Sequence, residues 1–187
     1  MERLAEWVRG ARDAGLPEHD AAALATVDAS GRPSVRTVSL RRVDVDALVF
    51  TTATWTRKAR DLQANPWAAL LLHWPSLGRQ AQVGGRVELA ERPLAEALFA
   101  QRDRPHQLQS MVSRQGKPIA GLAPLRERLA DVRREIGDGP VPCPEDWAAM
   151  RLRPEYIEYW VAAPDALHER ILYTRANGSW QRTQLSP

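Results

Sequence analysis

The chain has 187 residues, of which 44% are hydrophobic and 26% are charged, and its formal net charge is +3. This length suits one domain with a sizeable core, and so weak a positive charge does not indicate a nucleic-acid-binding protein. The single cysteine, Cys143, excludes an internal disulfide, and no apolar run is long enough to span a membrane. We therefore expect a protein of the reducing cytoplasm that binds neither nucleic acid nor membrane.

The first part of the chain predicts one helix followed by short strands. Apolar residues at helical spacing predict a helix over residues 2–14. The stretch AALATVDASGRPSVRTVSLRRVDVDALVFTT predicts three strands, with a hairpin turn in DASGRP where Gly31 is expected to adopt a positive φ. Short strands that follow one another in this way are typical of an antiparallel sheet or a small barrel.

The middle of the chain alternates between helix and strand signals. TRKARDLQANP predicts a short helix that ends at Asn65-Pro66. WAALLLHW is almost entirely apolar, which predicts a strand buried on both faces. RQAQVGGRVELA predicts another strand, in which Gly84-Gly85 marks a bulge or a close backbone approach.

The last part of the chain predicts further helices and the closing strands. Helices are expected in PLAEALFAQR and over residues 124–136. A proline-rich connection, GDGPVPCPEDW, then leads to strands in RPEYIEYWVA, ERILYTRANG and SWQRTQLSP. The predicted fold is mainly β with added helices, built on an antiparallel β-barrel in a single domain over residues 1–187.

A group of cations at the start of one predicted helix is the first candidate site. In TWTRKARD, Thr54 or Thr56 can cap the helix, and Arg57, Lys58 and Arg60 follow in its first turn. The helix dipole disfavours cations at that end. A bound anion, held by backbone N–H groups and the basic side chains, would make the arrangement favourable. The alternative is a solvated basic turn.

Two predicted strands carry further polar candidates. Arg36 and Arg41 lie five positions apart. This odd spacing places them on opposite faces of a regular strand, unless a bulge intervenes. An inward arginine needs a partner such as a phosphate, whereas outward arginines discourage edge pairing. Gln80 and Gln82 lie on the same face of a strand. Their amides suit hydrogen bonding to the edge of a heterocycle, and the alternative is a strand face exposed to solvent.

The segment QRDRPHQLQSMVSRQ is rich in arginine, glutamine and histidine. It suits either a segment that lies over an anionic ligand or a solvated helical surface. The four histidines are scattered, and no phosphate-loop, dinucleotide-binding or serine-nucleophile motif occurs. We therefore expect neither a metal site nor a serine triad.

Taken in order, these stretches resemble the pyridoxamine 5'-phosphate oxidase family, which binds FMN on a split β-barrel. The resemblance runs from about Ala22 to Pro187, with a C-terminal family region at about 142–187. It is carried by ATVDASGRPSVRTVSLR, VFTTATWTRKARDLQANPWAALLLHW, LGRQAQVGGRVE, SRQ, VPCPEDWAAMRLRPEYIEYW, LHER and the terminal W-x-x-x-x-LSP. Each motif is weak alone, and the ordered set is specific.

The resemblance implies an FMN-dependent oxidase that acts as a homodimer, with FMN at the subunit interface. The implied cofactor residues are Arg36, Thr37, Val38, Ser39, Leu40, Arg41, Thr51, Thr52, Arg57, Lys58, Gln80, Gln115, Trp160 and Arg170. In the family, a hydride passes from the substrate to the flavin and dioxygen reoxidises the flavin, which gives pyridoxal 5'-phosphate.

The resemblance also implies a substrate site. It comprises Arg41, Leu98, Arg102, His106, Ala166 and His168, with His168 as the candidate catalytic residue. Ala166 stands where the family has an arginine over the flavin, and Leu98 lacks the hydroxyl of the family's tyrosine. These differences keep three alternatives open: an oxidase of another reduced heterocycle, as in phenazine biosynthesis, a non-enzymatic flavin- or pyridoxal-phosphate-binding module, and a basic surface protein without a cofactor.

Overall fold

Strands of one antiparallel sheet close into a barrel in the computed structural model, which describes residues 1–187. The strands follow the order β3-β2-β1-β4-β5-β6-β7-β8, and an additional β3–β6 pairing closes the first six of them into the barrel. The strands are β1 Ala21–Val27, β2 Pro33–Val43, β3 Leu48–Ala53, β4 Trp67–Trp74, β5 Arg79–Leu89, β6 Trp147–Val161, β7 Glu169–Ala176 and β8 Ser179–Leu185. The predicted fold class, mainly β with added helices, is confirmed.

Five α-helices surround the sheet: α1 Glu2–Asp13, α2 Arg57–Ala64, α3 Arg92–Ala100, α4 Arg104–Val112 and α5 Ala123–Ile136. The predicted helices over 2–14 and 124–136 are confirmed within a residue at each end. Gly31 has a φ of 81°, so the positive φ expected at the first hairpin is also confirmed. None of the helices combines the length and the apolar character that a membrane span requires.

Gly84 and Gly85 mark both a bulge and a close backbone approach. The pairing of β5 with β6 shifts register between these two residues. A Cβ atom added at Gly85 would lie 2.0 Å from the carbonyl oxygen of Arg153, and one at Gly84 would lie 2.1 Å from the ring of Tyr156. The close packing of β6 against β5 at this bulge therefore requires residues without side chains at both positions.

Two expectations about strands were wrong. β4 is not buried on both faces, because its residues alternate and Trp67 and His73 are exposed. Only one face of β4 lines the barrel interior, and apolar side chains on the other face hid this alternation in the sequence. β6 begins at Trp147, earlier than expected, because Trp147 to Leu152 pair with β3 and close the barrel.

The hydrophobic residues form two cores, one inside the barrel and one outside it. The inner core includes Leu4 and Trp7 of α1, which close one end of the barrel. The outer core joins α3, α4 and α5 to residues such as Val49 and Trp147 on the outer surface of β3 and β6. The helices of this outer core bring α4 over the same side of the sheet as the polar residues of β2 and β3.

Candidate functional site

A cavity of about 480 Å³ lies between β2, β3, the start of α2 and α4. It collects many of the residues singled out in the sequence: Thr37, Val38, Ser39, Arg41, Thr51, Thr52, Lys58 and Gln115 from the implied cofactor set, and Arg102 and His106 from the implied substrate set. Residues from five separate parts of the chain thus meet at one place.

A second cavity of about 430 Å³ adjoins the first and shares Trp55, Thr56, Lys58 and Gln115 with it. Its remaining lining is strongly basic and contributes Arg36, Arg57, Arg60 and Lys117. The two cavities therefore form one elongated groove, which we call the polar groove, with a basic end at the start of α2.

Lys58 lies at the junction of the two cavities and is 8% exposed. Its Nζ donates hydrogen bonds to Thr52 Oγ1 at 3.3 Å and to Gln115 Oε1 at 3.0 Å, and no carboxylate lies within ion-pairing distance. Burial lowers the pKa of Lys58, and the nearby positive charge of Arg36 lowers this pKa further. A buried ammonium without a counter-charge is costly, so this site suits a bound anion.

Thr56 caps α2, and its side chain accepts the backbone N–H of Ala59. The cap orients the helix so that Lys58 faces inward, whereas Arg57 and Arg60 remain exposed. The first turn of α2 contains no acidic residue. The positive end of the helix dipole and the cations therefore both favour binding of an anion at the basic end of the polar groove.

Arg36 lines the basic end of the groove, while Arg41 lines the larger cavity. The Arg36 guanidinium donates to Leu24 O, Thr26 Oγ1 and Ser34 Oγ, and it lies 3.6 Å from Asp61. These contacts fix the guanidinium against β1. The pairing of β2 with β3 shifts register between Leu40 and Arg42, beside Arg41. Such a bulge between Arg36 and Arg41 is one of the two arrangements that the sequence allows.

A second group of cations lies at the α4 end of the groove. Arg102 is half-buried, and its guanidinium stacks 4.4 Å from the centre of the Trp147 ring. Burial lowers the pKa of Arg102, and the charge of Arg41 lowers it further. Arg102 Nε and Trp147 Nε1 are buried without hydrogen-bond partners. This end of the groove therefore also suits an anionic, hydrogen-bonding ligand.

His106 is exposed, and its Nδ1 lies 2.6 Å from Asp103 Oδ1. Hydrogen bonding to His106 lowers the pKa of Asp103. The pair stands at the start of α4, on the wall of the larger cavity.

The remaining implied residues form a separate cluster on β5, β6 and β7. Gln80 pairs with Trp160 and Trp160 pairs with Arg170 across the strands. The Trp160 and His168 rings stack with centroids 4.8 Å apart. Arg170 donates to Glu158 Oε1 from Nε at 2.8 Å and from a terminal nitrogen at 2.7 Å. None of the four lines either cavity of the groove.

The loop before β7 orients His168. The backbone N–H of Ala163 donates to His168 Nδ1 at 3.1 Å, so the neutral ring carries its proton on Nε2. Ala166 has a φ of 62° in the turn between these residues. The Asp165 side chain accepts the N–H of Leu167, which supports the turn. His168 is thereby held as a hydrogen-bond donor against Trp160.

Three implied site residues are buried in the cores, and one of them, Val38, also lines the larger cavity. The other two do not. Leu40 is 5% exposed in the inner core, and Leu98 is 2% exposed in the outer core. Leu98 is buried because it belongs to the outer core, which also contains Leu108 of α4 and Val132 of α5.

The sequence interpretation missed several residues of the groove. These are Trp55, Asp103, Gln109, Ser110, Ser113 and Trp147. It also missed Asp61, which does not line the groove but lies buried 3.6 Å from Arg36 at the basic end. Asp61 had one available signal: it is an acidic residue four positions after Arg57 on a basic helix. The others are common surface or core types whose role depends on the packing of α4.

Two protein-family models match this chain and show the family to which it belongs. The sequence model of the family described as "Pyridoxamine 5'-phosphate oxidase" matches residues 9–133. The model described as "Pyridoxine 5'-phosphate oxidase C-terminal dimerisation region" matches residues 147–187. The chain belongs to the pyridoxamine 5'-phosphate oxidase family. The resemblance found in the sequence is therefore confirmed, and the protein is an oxidoreductase of this FMN-dependent family.

Relatives within the family are similar over nearly the whole chain. A pyridoxine/pyridoxamine 5'-phosphate oxidase of Gluconobacter oxydans is 42% identical, over 98% of this chain and 92% of its own. One of Cupriavidus metallidurans is also 42% identical, over 100% of this chain and 88% of its own.

Two solved structures have the same fold as this chain. PhzG from Burkholderia lata, solved with tetrahydrophenazine-1-carboxylic acid, has a TM-score of 0.94 and 32% identity, over 100% of this chain and 91% of that chain. A pyridoxamine 5'-phosphate oxidase-related, FMN-binding protein from Nostoc punctiforme has a TM-score of 0.81 at 23% identity, over 100% of this chain and 96% of that chain, and it supports the fold alone.

Proposed function

We propose that this protein is an FMN-dependent oxidase of pyridoxine 5'-phosphate or pyridoxamine 5'-phosphate that forms pyridoxal 5'-phosphate. The observation that carries the proposal is the presence of two separate cation groups in one groove. Lys58 lies at the basic end without a carboxylate partner, and Arg102 stands beside Arg41 at the other end. Two anion sites in one groove suit one phosphate of the cofactor and one of the substrate.

The residues present fit FMN. Lys58, Arg57 and Arg36 would hold the phosphate, and the start of α2 would add backbone N–H groups. Thr51, Thr52 and Gln115 would bind the polar chain and neighbouring groups, beside residues 37–41 of β2. Hydride acceptance at flavin N5 and reoxidation by dioxygen are the chemistry that FMN supplies when bound.

The second cluster supports the proposal of a homodimer with FMN at its interface. Gln80, Trp160, His168 and Arg170 lie together but outside the groove of their own chain. The segment that carries three of them matches the family's dimerisation region. In a two-fold dimer, this cluster of one protomer would complete the groove of its partner. We propose that residues 1–187 form the single domain that dimerises in this way.

Within this arrangement, His168 would contact the substrate as an Nε2–H donor. The bond from Ala163 to Nδ1 occupies the nitrogen that would otherwise accept a proton. Its role would be orientation of the substrate against Trp160. Arg41, Arg102 and His106 would bind the substrate's anionic group at the α4 end.

The test is direct. Purified protein incubated with FMN should show flavin absorbance after removal of free ligand, and oxygen uptake should begin when pyridoxine 5'-phosphate is added. Unphosphorylated pyridoxine is the matched control, because it lacks the group that Arg102 and Arg41 would bind. A protein that retains no FMN at saturating concentration would contradict the proposal.

A second candidate is an oxidase of another reduced heterocyclic acid. It is favoured by Ala166, where the family has an arginine, and by the similarity to PhzG. A flavin-loaded protein that is silent with pyridoxine 5'-phosphate and active with a reduced heterocyclic carboxylic acid would select this candidate.

Ala166→Arg distinguishes the two candidates further. Because Ala166 already carries a Cβ at its φ of 62°, the change adds no new backbone strain. If the absent arginine limits activity, kcat/KM for pyridoxine 5'-phosphate should rise about tenfold, the scale of one charge-assisted hydrogen bond. Leu167→Arg is the control, since this neighbouring side chain is 70% exposed. An equal effect of both variants would show only a general charge effect.

A further inference from the structure

Asp61 is a buried carboxylate beside the basic end of the polar groove. Its side chain is 5% exposed, although it lies on the short, basic helix α2. It accepts a hydrogen bond from Thr26 Oγ1 at 2.7 Å. Such burial of an acid requires compensation by nearby donors or cations.

Two cations of the proposed phosphate site provide that compensation. Arg36 lies 3.6 Å from Asp61 Oδ2, and Arg57 Nε lies 3.9 Å from the same oxygen. Thr26 links them, because its hydroxyl accepts from Arg36 at 2.7 Å and donates to Asp61. Asp28 lies 4.0 Å from Arg57 but is more exposed than Asp61, so solvent screens its charge more strongly.

The orientation of Arg36 does not depend on Asp61 alone. The guanidinium also donates to Leu24 O, Thr26 Oγ1 and Ser34 Oγ, none of which is charged. Removal of the Asp61 charge would therefore leave Arg36 in place and change mainly the electrostatic potential of the groove. A carboxylate so close to the cations would also repel a bound phosphate.

We infer that Asp61 is the internal counter-anion of the cofactor-phosphate site: it balances Arg36 and Arg57 while the phosphate is absent and weakens phosphate binding when it is present. Asp61 therefore acts through the electrostatic potential of the groove: it lowers cofactor affinity and stabilises the cofactor-free protein. The inference rests on the proposed FMN site and assigns the residue that tunes it.

The test compares Asp61→Asn with the wild-type chain, with FMN and riboflavin as ligands. Asparagine keeps the size and can still accept from Thr26, whereas riboflavin lacks the phosphate. FMN affinity should rise roughly three- to tenfold at low ionic strength, riboflavin affinity should change less than about twofold, and high salt should reduce the difference. The unfolding temperature of the flavin-free variant should fall by several degrees, because adjacent cations lose their counter-charge.

Asp28→Asn is the matched control, and its FMN affinity should stay within about twofold of wild type. Unchanged or weaker FMN binding by Asp61→Asn, or a parallel change for FMN and riboflavin, would overturn the inference. If the variant is unfolded without ligand, inorganic phosphate or FMN should restore folding and riboflavin should not. Failure of phosphate and FMN to do so would also overturn it.

The two proposals fail separately. A wild-type protein that does not prefer FMN to riboflavin contradicts the proposed cofactor site itself. A wild-type protein that prefers FMN, together with an Asp61→Asn variant that resembles Asp28→Asn, contradicts only the role of Asp61.

Discussion

Replacing Lys58 with alanine is expected to weaken FMN binding by about 1–3 kcal/mol, which is roughly fivefold to 150-fold in Kd. Lys58 is the buried cation of the polar groove, and its hydrogen-bond partners are the neutral side chains of Thr52 and Gln115. A phosphate would supply the missing negative charge. Titration of flavin-free protein with FMN, followed by quenching of flavin fluorescence, measures the effect.

Lys58→Met separates a binding role from a structural one. Burial lowers the pKa of Lys58, so the folded protein disfavours the charged form relative to the unfolded chain. The ammonium therefore costs stability below its lowered pKa, and this cost disappears as the pH rises towards the ordinary value of 10.5. At neutral pH, Lys58→Met should thus leave the flavin-free protein as stable or more stable while FMN binding weakens.

Comparison with other cations of the groove provides the controls. Arg57→Ala should weaken FMN binding towards the lower end of the same range, because the Arg57 side chain is 57% exposed. Lys117→Ala should have little effect, since Lys117 is an exposed residue at the rim. If Lys58→Ala and Arg57→Ala both retain wild-type affinity, the phosphate does not bind at the start of α2.

Mixed dimers are expected to recover FMN sites that neither parent variant retains. Lys58→Ala removes a cation from the groove, and Arg170→Ala alters the separate cluster on β7. If the two regions meet across a two-fold interface, a dimer with one chain of each kind has one intact site and one doubly altered site. Random mixing would then restore about one quarter of wild-type sites.

The measurement is FMN bound per chain at a concentration near the wild-type Kd, after joint refolding of the two variants. A mixture of the separately folded variants is the control, because it contains no mixed dimers. Recovery in that control, or no recovery after joint refolding, would contradict a site composed from two chains. Arg170→Ala also leaves the partly buried Glu158 without its ion-pair partner, so the unfolding temperatures of both parent variants are measured beside the titration.

Local patterns in the sequence predicted most of the elements. The turn at DASGRP, the paired glycines of β5 and the cap before α2 each depend on residues adjacent in the chain, and the structure confirms them. The unusual cations at the start of α2 likewise predicted an anion site there, and they line the basic end of the groove. Where burial depends on partners elsewhere, as in β4 and the start of β6, the sequence prediction was wrong.

The sequence by itself determined the family, the order of elements and the basic character of the helix start, because these depend on residue type and short spacing. Only the tertiary structure decided that Lys58 is buried while Arg60 is exposed, and that Gln115 lies against Lys58. It also placed the carboxylate of Asp61 beside Thr26 and Arg36. The physical reason is that these contacts join residues far apart in the chain, so their charges and burial follow from barrel closure and helix packing.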